Sequence, residues 1–143
     1  MAVGILKMNT ATIAPMLLID SNIIIYYLNG ELNASEFLKQ HRNSLAISII
    51  TYSEVLSLRM NETAFVELCK ILRENFVILE IDLEIAEIAE IAAKLRQKHK
   101  IKMPDALIAA TATYYQLAIV TRNVKDFKNF PIQIINPMDD DYL

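Results

Sequence analysis

The chain has no tryptophan, one cysteine, two glycines and two histidines among its 143 residues. The lone Cys69 excludes an internal disulfide and suits a reducing compartment, so a cytoplasmic protein is expected. Flanked by Leu68 and Ile71 on a helical pattern, Cys69 reads as a small buried hydrophobe rather than a nucleophile. Gly4 and Gly30 are too few and too scattered for the glycine-rich loop of a dinucleotide or P-loop site. His41 and His99 are not spaced as ligands, which argues against zinc, and both read as surface histidines. No Ser/His/Asp arrangement is present. The longest apolar run, Ile13 to Ile19, is broken by Pro15 and falls far short of the roughly 20 residues that cross a bilayer. The first residues lack the basic and apolar regions of a signal peptide. Positive charge is scarce as well, with 14 Lys and Arg against 17 Asp and Glu and a net charge of −3. A protein that holds a polyanion by phosphate neutralisation alone is normally basic, so RNA or DNA would have to be met by local charge or by metal ions. Two local clusters qualify: Lys98, His99, Lys100 and Lys102, and then Arg122, Lys125 and Lys128. Each also reads as ordinary solvated surface.

What the chain does have is apolar residues, 54% of the total against an ordinary value of about 45–50%. That excess fits a sheet covered on both faces, with surface left for association, and predicts a homodimer. The length is that of one domain. We divide it into an extension over 1–15 outside the core, ordered only if something packs on it, a domain over 16–137 and a tail over 138–143. Short apolar runs at Met16–Ile19, Leu45–Ser48, Phe76–Leu79, Leu117–Thr121 and Ile132–Ile135 read as buried strands. Between them the 3.6-residue period predicts helices over Ile23–Leu28, Asn33–His41, from Ser48 or Thr51 to Met60, over Glu62–Arg73, Asp82–Lys98 and Pro104–Tyr115. In the fifth, Ile85, Ile88, Ala92 and Leu95 form the apolar stripe, with Glu84, Glu87 and Glu90 opposite. Alternating strands and helices predict an α/β fold with three layers and a five-stranded parallel sheet.

In such folds ligands bind beyond the carboxyl ends of the strands. Asp20 follows the first strand, Glu54 lies in the helix after the second, Asp105 opens the helix before the fourth, and Asn123 and Asp126 follow the fourth. Each acid has a plain structural reading. Asp20 is a good helix cap, Asp105 sits where a carboxylate suits the helix dipole, and Asp126 lies in a turn-like polar stretch. Glu54 fits such a reading least. Ile50 and Leu58, four residues to either side, place it on a stripe expected to face the core, where a carboxylate needs a cation or donors. Carboxylates without His or Cys partners are the ligand set of hard cations, so Mg²⁺ or Mn²⁺ is the inferred cofactor.

Four segments carry a family resemblance: Leu17 to Asn22 with Asp20, Ser21 and Asn22; Ser53-Glu54-Val55; Pro104-Asp105-Ala106-Leu107-Ile108-Ala109; and Thr121-Arg122-Asn123-Val124-Lys125-Asp126-Phe127. In this order the chain resembles PIN-domain proteins, especially the toxin nucleases of VapBC toxin–antitoxin pairs. The resemblance implies a five-stranded parallel sheet between helices, and Mg²⁺- or Mn²⁺-dependent hydrolysis of single-stranded or loop RNA. It also implies a homodimer and a small antitoxin that blocks the acidic groove. Asp20, Glu54 and Asp105 match three acidic positions of the family; the fourth falls to Asp126, or to Asn123 holding a water. Ser21 replaces a commoner Thr but keeps the hydroxyl that would orient Asp20, and Asn22, Thr121 and Asn123 are supporting residues. Asp20 and Asp105 are expected to bind the principal metal, with Glu54 and Asp126 completing the shell or positioning water. Lys102, Arg122 and Lys125 are expected to grip flanking phosphates. The other readings weighed are a receiver-type domain, which lacks its acidic pair and lysine here, a dehalogenase-like phosphatase, whose second Asp is Asn22 here, and a catalytically silent module that binds RNA or protein on the same fold.

Overall fold

The computed structural model describes residues 5–6, 16–80 and 86–139. Six strands form one sheet: β1 (Ile5–Leu6), β2 (Leu17–Ile19), β3 (Leu45–Ser48), β4 (Val77–Leu79), β5 (Ala118–Val120) and β6 (Ile134–Ile135). Their order is β1-β4-β3-β2-β5-β6 and every pairing is parallel. The five strands expected from the apolar runs are β2 to β6. The sixth, β1, comes from the N-terminal extension and pairs Ile5 with Ile78 and Leu6 with Leu79 along the outer edge of β4.

Seven helices occupy the described residues: α1 (Ser21–Leu28), α2 (Leu32–Gln40), α3 (Ile49–Leu56), α4 (Glu62–Asn75), α5 (Ala86–Lys98), α6 (Met103–Tyr115) and α7 (Val124–Phe127). The side-chain alternation of the strands divides the interior into two cores. Leu18, Ala46, Leu79 and Ile119 point to one face and pack with Ile88 and Ala92 of α5 and the alanine-rich face of α6. Ile19, Leu45, Ile47, Ile78 and Val120 point to the other and pack with Ile23 and Ile24 of α1, Phe37 of α2, Val55 of α3 and Leu72 of α4. Both sheet faces are therefore covered, which explains the unbroken apolar strands.

Several local expectations meet corrections. The expected cap Asp82 and stripe residue Ile85 lie outside the described residues, as does Glu84; within α5, Ile88 and Ala92 are buried while Glu87 and Glu90 are exposed. Helix α3 ends at Leu56 rather than Met60, with the Ser57 hydroxyl donating to the Ser53 carbonyl at 2.7 Å. Leu58 therefore lies past the helix and is 40% exposed, so the stripe assigned to Glu54 is not the core face. That face is carried by Thr51 and Val55, and Glu54 stands beside it. The polar stretch after β5 is not all turn, because Phe127 is fully buried and anchors α7 to the core. His41 and His99 are half-buried rather than free on the surface, with His41 against the Phe37 ring at 4.5 Å and His99 edge-on to Phe130 at 5.0 Å. Cys69 is a half-buried free thiol. No helix among the described residues is long and apolar enough to cross a membrane.

Candidate active site

The carboxyl ends of β2, β3 and β5 lie side by side, and the residues that leave them set up the acidic edge. Asp20 leaves β2 with extended backbone and caps α1, its Oδ1 accepting from the Ser21 N–H at 2.8 Å. The Asp20 N–H donates to the Val120 carbonyl at 2.9 Å, which fixes it to the start of the segment after β5. Ser48 ends β3 and caps α3, accepting from the Thr51 N–H at 3.0 Å, so α3 carries Glu54 away from the same edge. Helix α6 precedes β5 and runs back against the sheet, which brings its first turn, with Asp105, to this edge. Pro104 near its start has no N–H to leave unsatisfied.

Thr121 is the hub. It is fully buried, and its hydroxyl donates to Asp20 Oδ2 at 2.9 Å while accepting from the Asn123 N–H at 2.9 Å and the Asn22 amide at 3.2 Å. Asn22 also donates to Asp20 Oδ2 at 3.3 Å and accepts from the Arg122 N–H at 3.3 Å. The Asn123 amide donates to Asp126 Oδ2 at 2.6 Å, so the two residues that competed for the fourth position act as a pair in which Asn123 holds Asp126.

Electrostatics ties the acids together. Burial pushes the Asp20 carboxyl above the ordinary range, and hydrogen bonds from Thr121 and Ser21 only partly offset it. Burial also raises Glu54, helped by the negative charges of Asp20 and Asp105 and opposed by a hydrogen bond from the Ser21 side chain. Asp105 is raised by burial and then by Asp20 and Asp126, with Lys102 opposing. Among the buried side-chain oxygens and nitrogens of the described residues, Glu54 Oε1 is the one with no hydrogen-bond partner. Asp20, Glu54 and Asp105 thus repel one another in a partly desolvated pocket, and Asp126, exposed on α7, adds to the charge on Asp105. Among the described residues no group of three or more His, Cys, Asp or Glu side chains is drawn into a ready-made metal shell.

The three basic residues expected at the rim differ in setting. Lys102 is the exposed N-cap of α6 and Lys125 is exposed on α7. Arg122 is exposed too, but its Nη1 donates to the Tyr26 hydroxyl and its guanidinium carbon lies 5.4 Å from the centre of the Tyr26 ring. Tyr26 went unnoticed in the sequence. Its only signal is a position four residues after Asn22 on the same helix, a spacing that places both on one face.

A family model for the PIN domain matches residues 17–132. The chain is 30% identical over 118 residues to ribonuclease VapC10 of Mycobacterium tuberculosis, covering 80% of this chain and 88% of that protein. To ribonuclease VapC1 of Rickettsia felis it is 34% identical over 123 residues, covering 78% and 88%. Among solved structures, a toxin–antitoxin complex from Klebsiella pneumoniae matches with a TM-score of 0.72 and 35% identity, over 85% of this chain and 97% of that one.

Proposed function

The chain belongs to the PIN-domain family, and on that premise we propose that it is a divalent-metal-dependent ribonuclease acting on single-stranded or loop RNA, the toxin of a cytoplasmic toxin–antitoxin pair. The observation that carries the metal dependence is the buried, unpartnered Glu54 Oε1 beside two further carboxyls held above their ordinary range. An anionic pocket with an orphaned acceptor fits a hard cation, for which carboxylate oxygens are the natural donors. Asp20, Glu54, Asp105 and Asp126 would hold it. When bound, Mg²⁺ or Mn²⁺ supplies activation of water and neutralisation of the charge that builds on the scissile phosphate.

The protein's own groups then have distinct roles. Thr121, Ser21 and Asn22 fix the Asp20 carboxylate, so its orientation is set before substrate arrives. Asn123 holds Asp126 in the same way. Lys102, Arg122 and Lys125 supply the local positive charge that a chain of net charge −3 needs in order to hold phosphates on either side of the cut. An antitoxin partner is supported by the Klebsiella pneumoniae relative, which is a toxin–antitoxin complex. A homodimer is supported by large apolar side chains left in water on two helices that cover one sheet face, Leu32 of α2 at 68% and Val66 of α4 at 60% exposure. The family match over 17–132 supports one domain over 16–137.

The test is cleavage of a mixed-sequence single-stranded RNA by the purified protein in Mg²⁺, in Mn²⁺ and in excess chelator, beside the Asp105→Asn protein. Cleavage that needs the metal and falls at least about 100-fold in the variant supports the reading. Undiminished cleavage in chelator refutes the metal. RNA binding with no cleavage under any condition leaves the silent binding module.

A further inference from the structure

We infer that Tyr26 is a positioning residue for substrate: with Asn22 it holds the Arg122 guanidinium ready for an RNA phosphate at the rim of the acidic site. The inference rests on the ribonuclease reading and deepens it. Arg122 directly follows Thr121, the residue that holds Asp20, so its backbone is locked to the site. An exposed arginine among acids ordinarily turns to one of them. Here the guanidinium meets the Tyr26 hydroxyl and the Tyr26 ring, and among the described residues its remaining donors have no acceptor. Asn22 and Tyr26, one turn apart on α1, take hold of Arg122 at both ends, Asn22 at its backbone N–H and Tyr26 at its side chain.

Two consequences follow from elementary chemistry. A phenol is a neutral acceptor, so the arginine keeps its full positive charge for a ligand, whereas a carboxylate partner would cancel it. A guanidinium hydrogen-bonded at one nitrogen to the hydroxyl of a ring whose centre lies 5.4 Å away also has its fork orientation restricted, which lowers the ordering cost of a two-pronged contact to phosphate. Lys102, whose charge faces Asp105, and Lys125 have no such hydrogen-bonded support among the described residues and offer a point charge rather than a fork. Tyr26 thus distinguishes Arg122 as the cation that sets the register of the RNA backbone.

The test combines cleavage kinetics in Mg²⁺ with binding of a fluorescent single-stranded RNA. Tyr26→Phe keeps the ring and loses the acceptor, and is expected to raise KM about threefold to tenfold while kcat stays within about twofold. Arg122→Gln is expected to raise KM more and to lower the salt slope of RNA binding by about one. The decisive comparison is the double variant, expected to be no worse than Arg122→Gln alone, because Tyr26 acts only through Arg122. Additive losses, or an unchanged KM in Tyr26→Phe, overturn the inference while leaving the ribonuclease reading intact. If Tyr26→Phe does not fold, Arg122→Lys replaces it: it keeps the charge without the fork, and KM equal to that of the unaltered protein overturns the inference. No RNA binding by the unaltered protein overturns both.

Discussion

Replacing Glu54 with Gln tests whether the acidic edge is a built site held against its own repulsion. Glu54 has its carboxyl raised by burial and by Asp20 and Asp105, and one of its oxygens has no partner. A group whose folded pKa lies above its unfolded value contributes stability below the unfolded pKa and loses it as pH rises through the folded pKa. Above its folded pKa the metal-free protein therefore carries the full cost of the charge. Gln keeps an oxygen at this place but removes its negative charge, and a buried charged group without a partner costs about 1–3 kcal/mol or more. The side chain is only partly buried, so solvent screening reduces this to about 0.5–1.5 kcal/mol. With an unfolding entropy of about 0.3 kcal/mol/K for 143 residues, Glu54→Gln is expected to raise Tm by about 2–5 °C. The assay is calorimetric melting in chelator at pH 7.5, repeated downward to pH 4. The gain should shrink as pH falls into the ordinary carboxylate range, where Glu54 is already protonated in both states. A loss of stability at pH 7.5, or a gain that does not depend on pH, refutes the reasoning.

Thr121→Val keeps shape but removes the hydroxyl that serves Asp20, Asn22 and Asn123 together. It should cost about 1–3 kcal/mol in denaturant melts, and cleavage should fall more than stability explains because Asp20 loses its orientation. Phe127→Ala opens a hole under α7 and should cost about 3–5 kcal/mol, with hydrogen exchange showing early opening of the Asn123–Asp126 segment. Asn123→Ala alters a half-buried residue that holds Asp126, so melting should move by less than about 0.5 kcal/mol while cleavage in Mg²⁺ falls about tenfold; unchanged cleavage would remove Asp126 from the site.

The parallel sheet was legible because strands buried on both faces must be apolar at every position, as Leu17 to Ile19 and Ala118 to Val120 are. The places of Asp20 and Asp105 were legible for the same reason, since each adjoins an element whose ends the sequence marks with an apolar run, a cap or a proline. Glu54 was legible only in part. The periodicity ran on to Leu58, whereas the helix stops at Leu56, and its lack of a partner is a property of the assembled pocket. Strand β1 escaped notice because two residues carry no period and its pairing with β4 spans most of the first half of the chain. Helix α7 escaped because one buried aromatic, Phe127, organises an otherwise polar stretch. The contact between Tyr26 and Arg122 joins residues 96 apart, and no local pattern predicts such a meeting.

Four carboxylates from separate parts of the chain, Asp20, Glu54, Asp105 and Asp126, are proposed to share a divalent cation. Calorimetric titration of Mn²⁺ into the metal-free protein at pH 6, in two buffers of different ionisation enthalpy, tests this, with Asp20→Asn and Glu54→Gln titrated alongside. Saturable binding is expected, with proton release that grows as the titration is repeated at lower pH, because carboxyls held above their ordinary range give up more protons to the metal there. Each variant should bind at least about tenfold more weakly. Binding of equal strength in all three proteins would rule out a shared cation.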